Sequence, residues 1–257
     1  MLASAHHEVL AAVGRFEHAA PELALARSLE HRRDWKFLFP LAALAPILQS
    51  LSSGYQVLLA GGEPLAQYET CYFDTATRHC YREHHRGRSR RFKVRIRSYL
   101  DRELTHLEVK VRDARRVTRK HSLARAFGDL EMSGDEVRPF VEQHSGMELS
   151  CFVPSLRNSF RRVTLLGVER CERITFDLGL RYRLAAQERG LPSLVVAEVK
   201  SAERRLGTRA LAAFRAARMR PVSFSKYCVG LALVVPGLGS NRFRPVLRRL
   251  ARIEEQS

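Results

Sequence analysis

The sequence is poor in features that would place it among secreted, disulfide-bonded or membrane-spanning proteins. Its five cysteines are odd in number and form no C-x-x-C pair, so neither a disulfide framework nor a thiolate zinc site is indicated. The longest apolar run, Cys228 to Pro236, is far shorter than the roughly 20 residues that cross a bilayer. The first residues lack the basic start and the unbroken apolar stretch of a secretory signal. These absences predict a reduced, cytoplasmic protein without a transmembrane segment.

Acidic residues are also scarce compared with basic ones. The chain of 257 residues carries 44 Lys and Arg against 27 Asp and Glu, a net charge of +17. A hydrophobic content of 45% and a charged content of 28% are globular values, which excludes wholesale disorder. Because such an excess repels itself in the compact state, it predicts an anionic partner. Nucleic acid, an acidic membrane surface and a phosphate-rich molecule are the candidate classes.

The positive charge is concentrated and follows a pattern. Between Arg78 and Arg125, 17 Lys and Arg stand against five Asp and Glu. Within this region, residues 91–97 (RFKVRIR) alternate strictly between basic and apolar side chains, which predicts a β-strand with one cationic face. Four like charges on one strand face are unfavourable unless an anion lies against them.

Other segments alternate in the same way. They are residues 29–37, 107–112, 117–123, 155–161, 171–177 and 194–200. The simpler interpretation is an antiparallel sheet with its charged face in water. The recurrence of cationic faces instead favours an α+β fold with a closed antiparallel β-barrel of about eight strands, a polar basic interior and peripheral helices. We expect a helical segment over residues 1–26, the barrel domain over 27–240 and a basic helix or tail over 241–257.

Short motifs occur in a fixed order along the barrel segments. They are Arg32-x-Asp34-x-Lys36, Tyr72-Phe73-Asp74-Thr75, Arg91-x-Lys93-x-Arg95-x-Arg97, Glu108-x-Lys110, Lys120, Arg157, Arg173-Ile174-Thr175-Phe176-Asp177, Glu198-x-Lys200 and Ser225-Lys226-Tyr227. Each motif is weak alone, but the ordered set resembles the VTC domain. That domain is the polyphosphate polymerase branch of the triphosphate tunnel metalloenzymes. The resemblance covers nearly the whole chain.

The resemblance implies a basic tunnel in which the γ-phosphoryl group of ATP is transferred onto polyphosphate, with Mn²⁺ or Mg²⁺ as cofactor. Other branches hydrolyse tripolyphosphate or thiamine triphosphate, cyclise ATP or remove an RNA 5′ phosphate. A triphosphate hydrolase and a non-catalytic polyanion binder therefore remain alternatives. ATP or another triphosphate and polyphosphate are the expected partners, and a membrane partner is left open. Nucleic acid is disfavoured because no exposed aromatics are interleaved among the cations.

The resemblance also assigns roles to individual residues, in agreement with the need of phosphoryl transfer for positioned cations. Those expected at the reacting phosphates are Lys36, Arg95, Arg97, Lys110 and Lys226. Those expected to bind further phosphates are Lys93, Lys120, Arg157, Arg173 and Lys200. Carboxylates are the ligands that hard divalent ions prefer, and the expected ones are Glu198, Glu108 and Asp34. The alternative for each acid is an ion pair with a neighbouring lysine.

One position departs from the family pattern. An aromatic residue that can stack on adenine commonly stands two positions before the arginine that Arg157 matches, and here that position is Ser155. The departure predicts weaker selection for ATP than for the triphosphate group itself. In the Tyr72-to-Thr75 motif we expect Phe73 in the core and Asp74 or Thr75 at the start of a helix.

Overall fold

The protein is built around a nine-stranded antiparallel sheet. The computed structural model describes residues 2–27, 33–115, 117–202 and 207–256, so Arg32 of the first motif lies outside the described residues. The strands are β1 (Arg33–Pro40), β2 (Tyr55–Val57), β3 (Leu65–Asp74), β4 (Arg91–Tyr99), β5 (Leu104–Arg112), β6 (Thr118–Arg125), β7 (Val153–Gly167), β8 (Glu172–Leu184) and β9 (Gln187–Ser201). Their order is β1-β9-β8-β7-β3-β4-β5-β6, and β2 pairs with β7.

Eight helices surround this sheet in the described ranges. They are α1 (Leu2–Val13), α2 (Pro21–Ala26), α3 (Leu44–Leu51), α4 (His79–His85), α5 (Val137–Ser145), α6 (Arg209–Ala216), α7 (Lys226–Val234) and α8 (Arg244–Glu255). None of the helices that the structure describes combines the length and apolarity needed to cross a membrane. The division of the chain at residues 26 and 240 stays a prediction.

The expectation of a closed barrel was wrong. Within the described ranges, β1 pairs with β9 and β6 pairs with β5, but β1 and β6 do not pair with each other. Both edge strands turn lysines, Lys36 and Lys120, toward the same side of the sheet, so closing the edge would force cations together. Instead, the backbone N–H of Val222 donates to the carbonyl of Lys36 at 2.8 Å, outside the strand ladder. The sheet is therefore curved and open along one side.

Apolar residues on the convex face form two separate core patches. In the first, Phe37 of β1 stacks on Phe214 of α6 with ring centroids 4.1 Å apart, and α1 and α3 cover the same patch. In the second, Val94, Ile96 and Val109 of β4 and β5 pack against α5. Strand alternation places the basic side chains of β4 and β5 on the other, concave face.

The concave face is divided between an apolar end and a charged end. Helix α7 fills the apolar end, where Tyr227 packs with Leu156 of β7 and Tyr182 of β8. Gly230 lets the helix approach closely, because a Cβ at this position would lie 2.4 Å from Cδ1 of Tyr182. The charged end is left open to solvent and to ligands.

Asp74 joins helix α4 to helix α7. Its buried carboxylate accepts hydrogen bonds from the backbone N–H groups of Cys80 and Tyr81 at 2.8 and 3.0 Å, and from the hydroxyl of Tyr227 at 2.5 Å. Phe73 is buried in the convex core. Phe73 thus lies in the core as expected, whereas α4 begins at His79 with Arg78 as its N-cap residue, so neither Asp74 nor Thr75 is the N-cap. Asp74 instead binds the first turn of α4 from five residues upstream, and it also fixes α7 over the sheet.

Replacing Gly230 by alanine should destabilise the protein. The added methyl group meets Tyr182 and Leu156, and overpacking of this kind costs about 1–3 kcal/mol. We expect a lower midpoint of thermal unfolding for Gly230→Ala. The matched control is Gly239→Ala, where an added Cβ meets nothing within 4 Å. Equal midpoints for the two variants would contradict the close approach of α7.

Candidate active site

The pairing of strands gathers basic and acidic side chains on the concave face. Lys36 is the cross-strand partner of Glu198, and Asp34 is that of Lys200. Arg95 is opposite Glu108 on the far side of the curved sheet. The groups that share this face, which we call the concave site, are Asp34, Lys36, Lys93, Arg95, Arg97, Glu108, Lys110, Lys120, Arg162, Arg173, Asp177, Glu198, Lys200 and Lys226.

Glu108 is a buried counter-ion on one side of the concave site. It is 1% exposed, and its two carboxylate oxygens accept from Arg95 Nη2 at 2.6 Å and from Lys120 Nζ at 2.9 Å. Burial alone would raise the pKa of Glu108, but Arg95, Arg97 and Lys120 together hold that pKa well below its usual range. Because both oxygens serve cations, Glu108 orients Arg95 and Lys120 toward the site.

Asp177 plays the same part on the other side. The Nη2 atom of Arg162 donates to Asp177 at 2.8 Å, and Lys226 also donates to this carboxylate. Burial would raise the pKa of Asp177, but Arg162 and Lys226 outweigh it and keep the acid ionised. Since Lys226 is the first residue of α7, this ion pair ties the start of the helix to strands β7 and β8.

Arg162 takes the place on β7 that the sequence prediction gave to Arg157. Arg157 is the cross-strand partner of Cys71 and is exposed on the convex face, so the structure does not bring it into the concave site. Arg162 was not among the predicted residues. The signal that could have found it is the aromatic two positions earlier, Phe160, whose ring lies 5.2 Å from the Arg162 guanidinium.

Ser155 has a structural role. Its hydroxyl lies 3.0 Å from the Tyr227 hydroxyl, which in turn donates to Asp74. Phe160 is only 3% exposed and stacks on Tyr68 with ring centroids 5.0 Å apart. The aromatic-x-Arg pattern is therefore present at Phe160 and Arg162, but the aromatic ring is already packed within the protein.

Three lysines of the concave site lose protons unusually easily. Burial and repulsion from Lys36 lower the pKa of Lys93 to about 8, although this ammonium donates to Ser225 Oγ at 2.8 Å. The Lys110 side chain is exposed to water, although other side chains of the concave face surround it. Desolvation, and secondly repulsion from Lys36, lower the pKa of Lys110 to about 7. Burial, only partly offset by Asp177, lowers the pKa of Lys226 to about 8. The lowered pKa values show that positive charge is crowded in the site, and a bound anion would relieve this repulsion.

Glu198 is the carboxylate best suited to a divalent ion. It is 17% exposed, and its Oε1 lies 3.1 Å from Lys200 Nζ. Burial would raise the pKa of Glu198, but Lys200, Lys36 and Lys110 hold it well below its usual range, so the group is ionised. Among the described residues, no three His, Cys, Asp or Glu side chains cluster to enclose a metal. Such a site fits Mg²⁺-type binding, in which one or two carboxylates share the ion with substrate oxygens.

The sequence of this chain matches the family model of the VTC domain over residues 31–235. The chain belongs to the VTC domain family. The resemblance of the ordered motifs to the VTC domain, a branch of the triphosphate tunnel metalloenzymes, is thereby confirmed. Proteins of this tunnel family generally use divalent metal ions. None of the curated proteins matches the chain.

Solved structures include one of similar fold. A protein from Bacillus halodurans described as a candidate adenylate cyclase superposes with a TM-score of 0.50 and 12% identity, over 76% of this chain and 94% of that one. HpAC1 from Hippeastrum, described as a candidate adenylyl cyclase with a dominant triphosphatase activity, gives a TM-score of 0.49 and 15% identity over 82% of this chain and all of that one. At 12% identity, the likeness to the Bacillus halodurans protein concerns the fold alone.

Anion binding in the concave site should take up protons at alkaline pH. At pH 8.5 Lys110 and part of Lys93 and Lys226 are neutral, and a bound polyanion raises their pKa values again. Calorimetry with a non-hydrolysable ATP analogue in two buffers of different ionisation enthalpy should therefore show proton uptake, and affinity should fall from pH 7 to pH 9. Lys110→Arg, which stays charged, should take up fewer protons. Identical heats in both buffers would argue against the lowered lysine pKa values.

Proposed function

We propose that this protein is a metal-dependent phosphotransferase that moves the γ-phosphoryl group of ATP onto polyphosphate in the concave site. The observation that carries the proposal is the convergence of seven strands and the start of α7 on one basic, solvent-open face in a chain of the VTC family. A cytoplasmic location is part of the proposal, and the cysteine pattern, which indicates no disulfide framework, supports it.

The chemistry requires cations that are fixed before the substrate arrives. Negative charge spreads over the phosphoryl oxygens during transfer, and positioned cations stabilise it most in a site of low dielectric. Glu108 holds the Arg95 guanidinium, and Asp177 holds Arg162, so neither side chain has to be ordered on binding. Arg97 is 6% exposed and donates from Nε to Thr70 Oγ1 at 3.1 Å. Arginine suits these positions because its planar fork binds phosphate bidentately.

The lysines supply further point charges around these fixed arginines. Lys36 donates to the carbonyl of Phe224 at 3.0 Å, and Lys110 is exposed on β5. We assign Lys36 and Lys110 to the reacting phosphates, and Lys120, Arg173 and Lys200 to the remaining ones. Lys93 and Lys226 connect the site to the start of α7 through Ser225 and Asp177.

Glu198, with Asp34 beside it, is the proposed carboxylate ligand for Mn²⁺ or Mg²⁺. When bound, such an ion adds positive charge at the phosphate oxygens and helps to neutralise the triphosphate. The protein's own contribution is to keep Glu198 ionised and accessible beside Lys200.

The triphosphate is the feature of the nucleotide that this site recognises. Phe160, the aromatic residue in the expected relation to Arg162, is stacked on Tyr68 and is 3% exposed. We therefore propose that the base contributes little to affinity and that other triphosphates compete with ATP. A comparison of ATP, GTP and tripolyphosphate as competitors tests this point directly.

A triphosphate hydrolase is the second candidate. Because β1 and β6 do not pair with each other, the concave site is open to water, which could replace the phosphate acceptor. The deciding experiment is incubation of the purified protein with ATP and Mn²⁺, followed by gel analysis of the products. Long polyphosphate supports the polymerase, orthophosphate alone supports the hydrolase, and neither product with intact binding indicates a polyanion binder.

Glu198→Gln should lower turnover by about 100-fold or more and shift the metal dependence to higher Mn²⁺ concentration, because it removes the proposed ligand charge. Glu255→Gln, an exposed carboxylate on α8, is the matched control and should behave as wild type. Equal activities of both variants at every metal concentration would remove Glu198 from the reaction.

Two adjacent arginines on β7, Arg161 and Arg162, lie on opposite faces of the sheet. Replacing each in turn therefore tests whether triphosphate binds in the concave site or to the basic surface in general. Arg162→Ala should reduce triphosphate affinity by about tenfold or more, since it removes a phosphate contact and leaves Asp177 with Lys226 alone. Arg161→Ala, the same change at an exposed residue that faces the convex side, should have little effect. Isothermal titration gives both affinities. Equal losses would indicate a diffuse basic surface.

A further inference from the structure

The convex face carries a cavity that the tunnel chemistry does not use. It has a volume of about 280 Å³ and is lined mainly by strands β3, β7 and β8, with Leu130 at one side. Its charged lining residues are Glu69, Arg157, Arg181, Arg183 and Glu188. Strand alternation places these arginines on the side of the sheet opposite to Arg162, so the sheet itself separates the cavity from the concave site.

Two of the three arginines face each other across the β7–β8 ladder. Arg157 and Arg183 are direct cross-strand partners, and Arg181 is opposite Ser159 on the same face. Like charges directly opposite each other destabilise a sheet. Arg181 lies 3.7 Å from Glu188, whereas in the part of the chain that the structure describes neither Arg157 nor Arg183 has an ion-pair partner. The ladder therefore holds a repulsive pair at the wall of a cavity.

The cavity lining also holds two carboxylates, Glu69 and Glu188, and Glu188 is the cross-strand partner of Arg183. Within the described residues, however, Glu188 forms its ion pair with Arg181, and neither carboxylate forms one with Arg157 or Arg183. Cys71 is buried there beside Arg157. Burial raises the pKa of the Cys71 thiol, and the opposing effect of Arg157 is smaller, so the thiol stays neutral at pH 7. Arg157 contacts this thiol, but both Arg157 and Arg183 are exposed, so their guanidinium groups are accessible to a ligand.

We propose that this convex cavity is a second anion site, which binds a small phosphate-type oxyanion such as pyrophosphate independently of the concave site. Three arginines and no lysine line the cavity, and planar guanidinium groups bind phosphate bidentately. A nucleic acid is disfavoured because the only aromatic among the lining residues, Tyr182, is 0% exposed and cannot stack on a base. The site goes beyond the proposed transfer reaction, since it requires no chemistry there.

The test is a titration of the full chain with pyrophosphate at low salt, by calorimetry. Compared with wild type, Arg157→Ala/Arg183→Ala should bind one fewer pyrophosphate per chain. The matched control is Arg248→Ala/Arg252→Ala, an equal loss of charge on the exposed face of α8, which should keep the wild-type number. The same number of sites in all three proteins, or an equal loss in the control, would overturn the proposal. Failure of the transfer assay leaves this result unaffected.

Two further measurements distinguish the site from its alternatives. Arg157→Lys/Arg183→Lys keeps the charge but loses the planar fork, so we expect at least tenfold weaker binding at this site. Without ligand, Arg157→Ala/Arg183→Ala should melt at a higher temperature than wild type because the cross-strand repulsion is gone. A lower melting temperature would mark the arginines as structural. Loss of poly-uridylate binding with unchanged pyrophosphate binding would make the surface one for nucleic acid, and both outcomes contradict the proposal.

Discussion

Mutual repulsion among the cations of the concave face is the constraint on which the rest of the structure depends. Two buried carboxylates, Glu108 and Asp177, keep that repulsion tolerable because each accepts hydrogen bonds from two basic side chains. Breaking such a buried pair by removing one partner costs about 3–5 kcal/mol. The two acids therefore belong to the fold as much as to the site. The positive charge that these two acids do not neutralise lowers the pKa values of Lys93 and Lys110, and it favours binding of an anion.

The apolar half of the same face explains how the charges are held apart. Helix α7 covers it closely at Gly230, while its first residue, Lys226, reaches the charged half. Asp74 fixes α7 through Tyr227, and the same carboxylate accepts hydrogen bonds from the backbone of the first turn of α4. Packing and electrostatics are thus joined in one helix, because the element that fills the core end also supplies a cation to the site. A change in the packing of α7 would reposition Lys226.

Local periodicity predicted the character of this sheet, but not its closure or its inward faces. The alternation at 91–97 identifies the basic face of β4 because the side-chain period of a strand is a local property. Residues 155–161 alternate as clearly as residues 91–97, but in β7 the basic face is the convex one. Arg157 therefore points away from the concave site, and Arg162 points into it. Which face turns inward depends on pairing with β3, a strand whose mixed tyrosines and polar residues gave no alternation to recognise. Closure of the barrel depends on whether the edge strands β1 and β6, which are far apart in sequence, pair with each other. The local sequence pattern of either strand does not contain that information.

The open side of the sheet has a topological consequence for long chains. A closed barrel of strands can bind a polymer in its interior only if an end of the polymer enters first. For the polyphosphate proposed above as substrate, a curved sheet in which β1 and β6 do not pair with each other also permits lateral loading, in which an internal stretch of the polymer enters the groove before its terminus does. Release then needs no sliding along the full length of the chain. The gap between β1 and β6 thus affects how a substrate can bind and dissociate, as well as the shape of the fold.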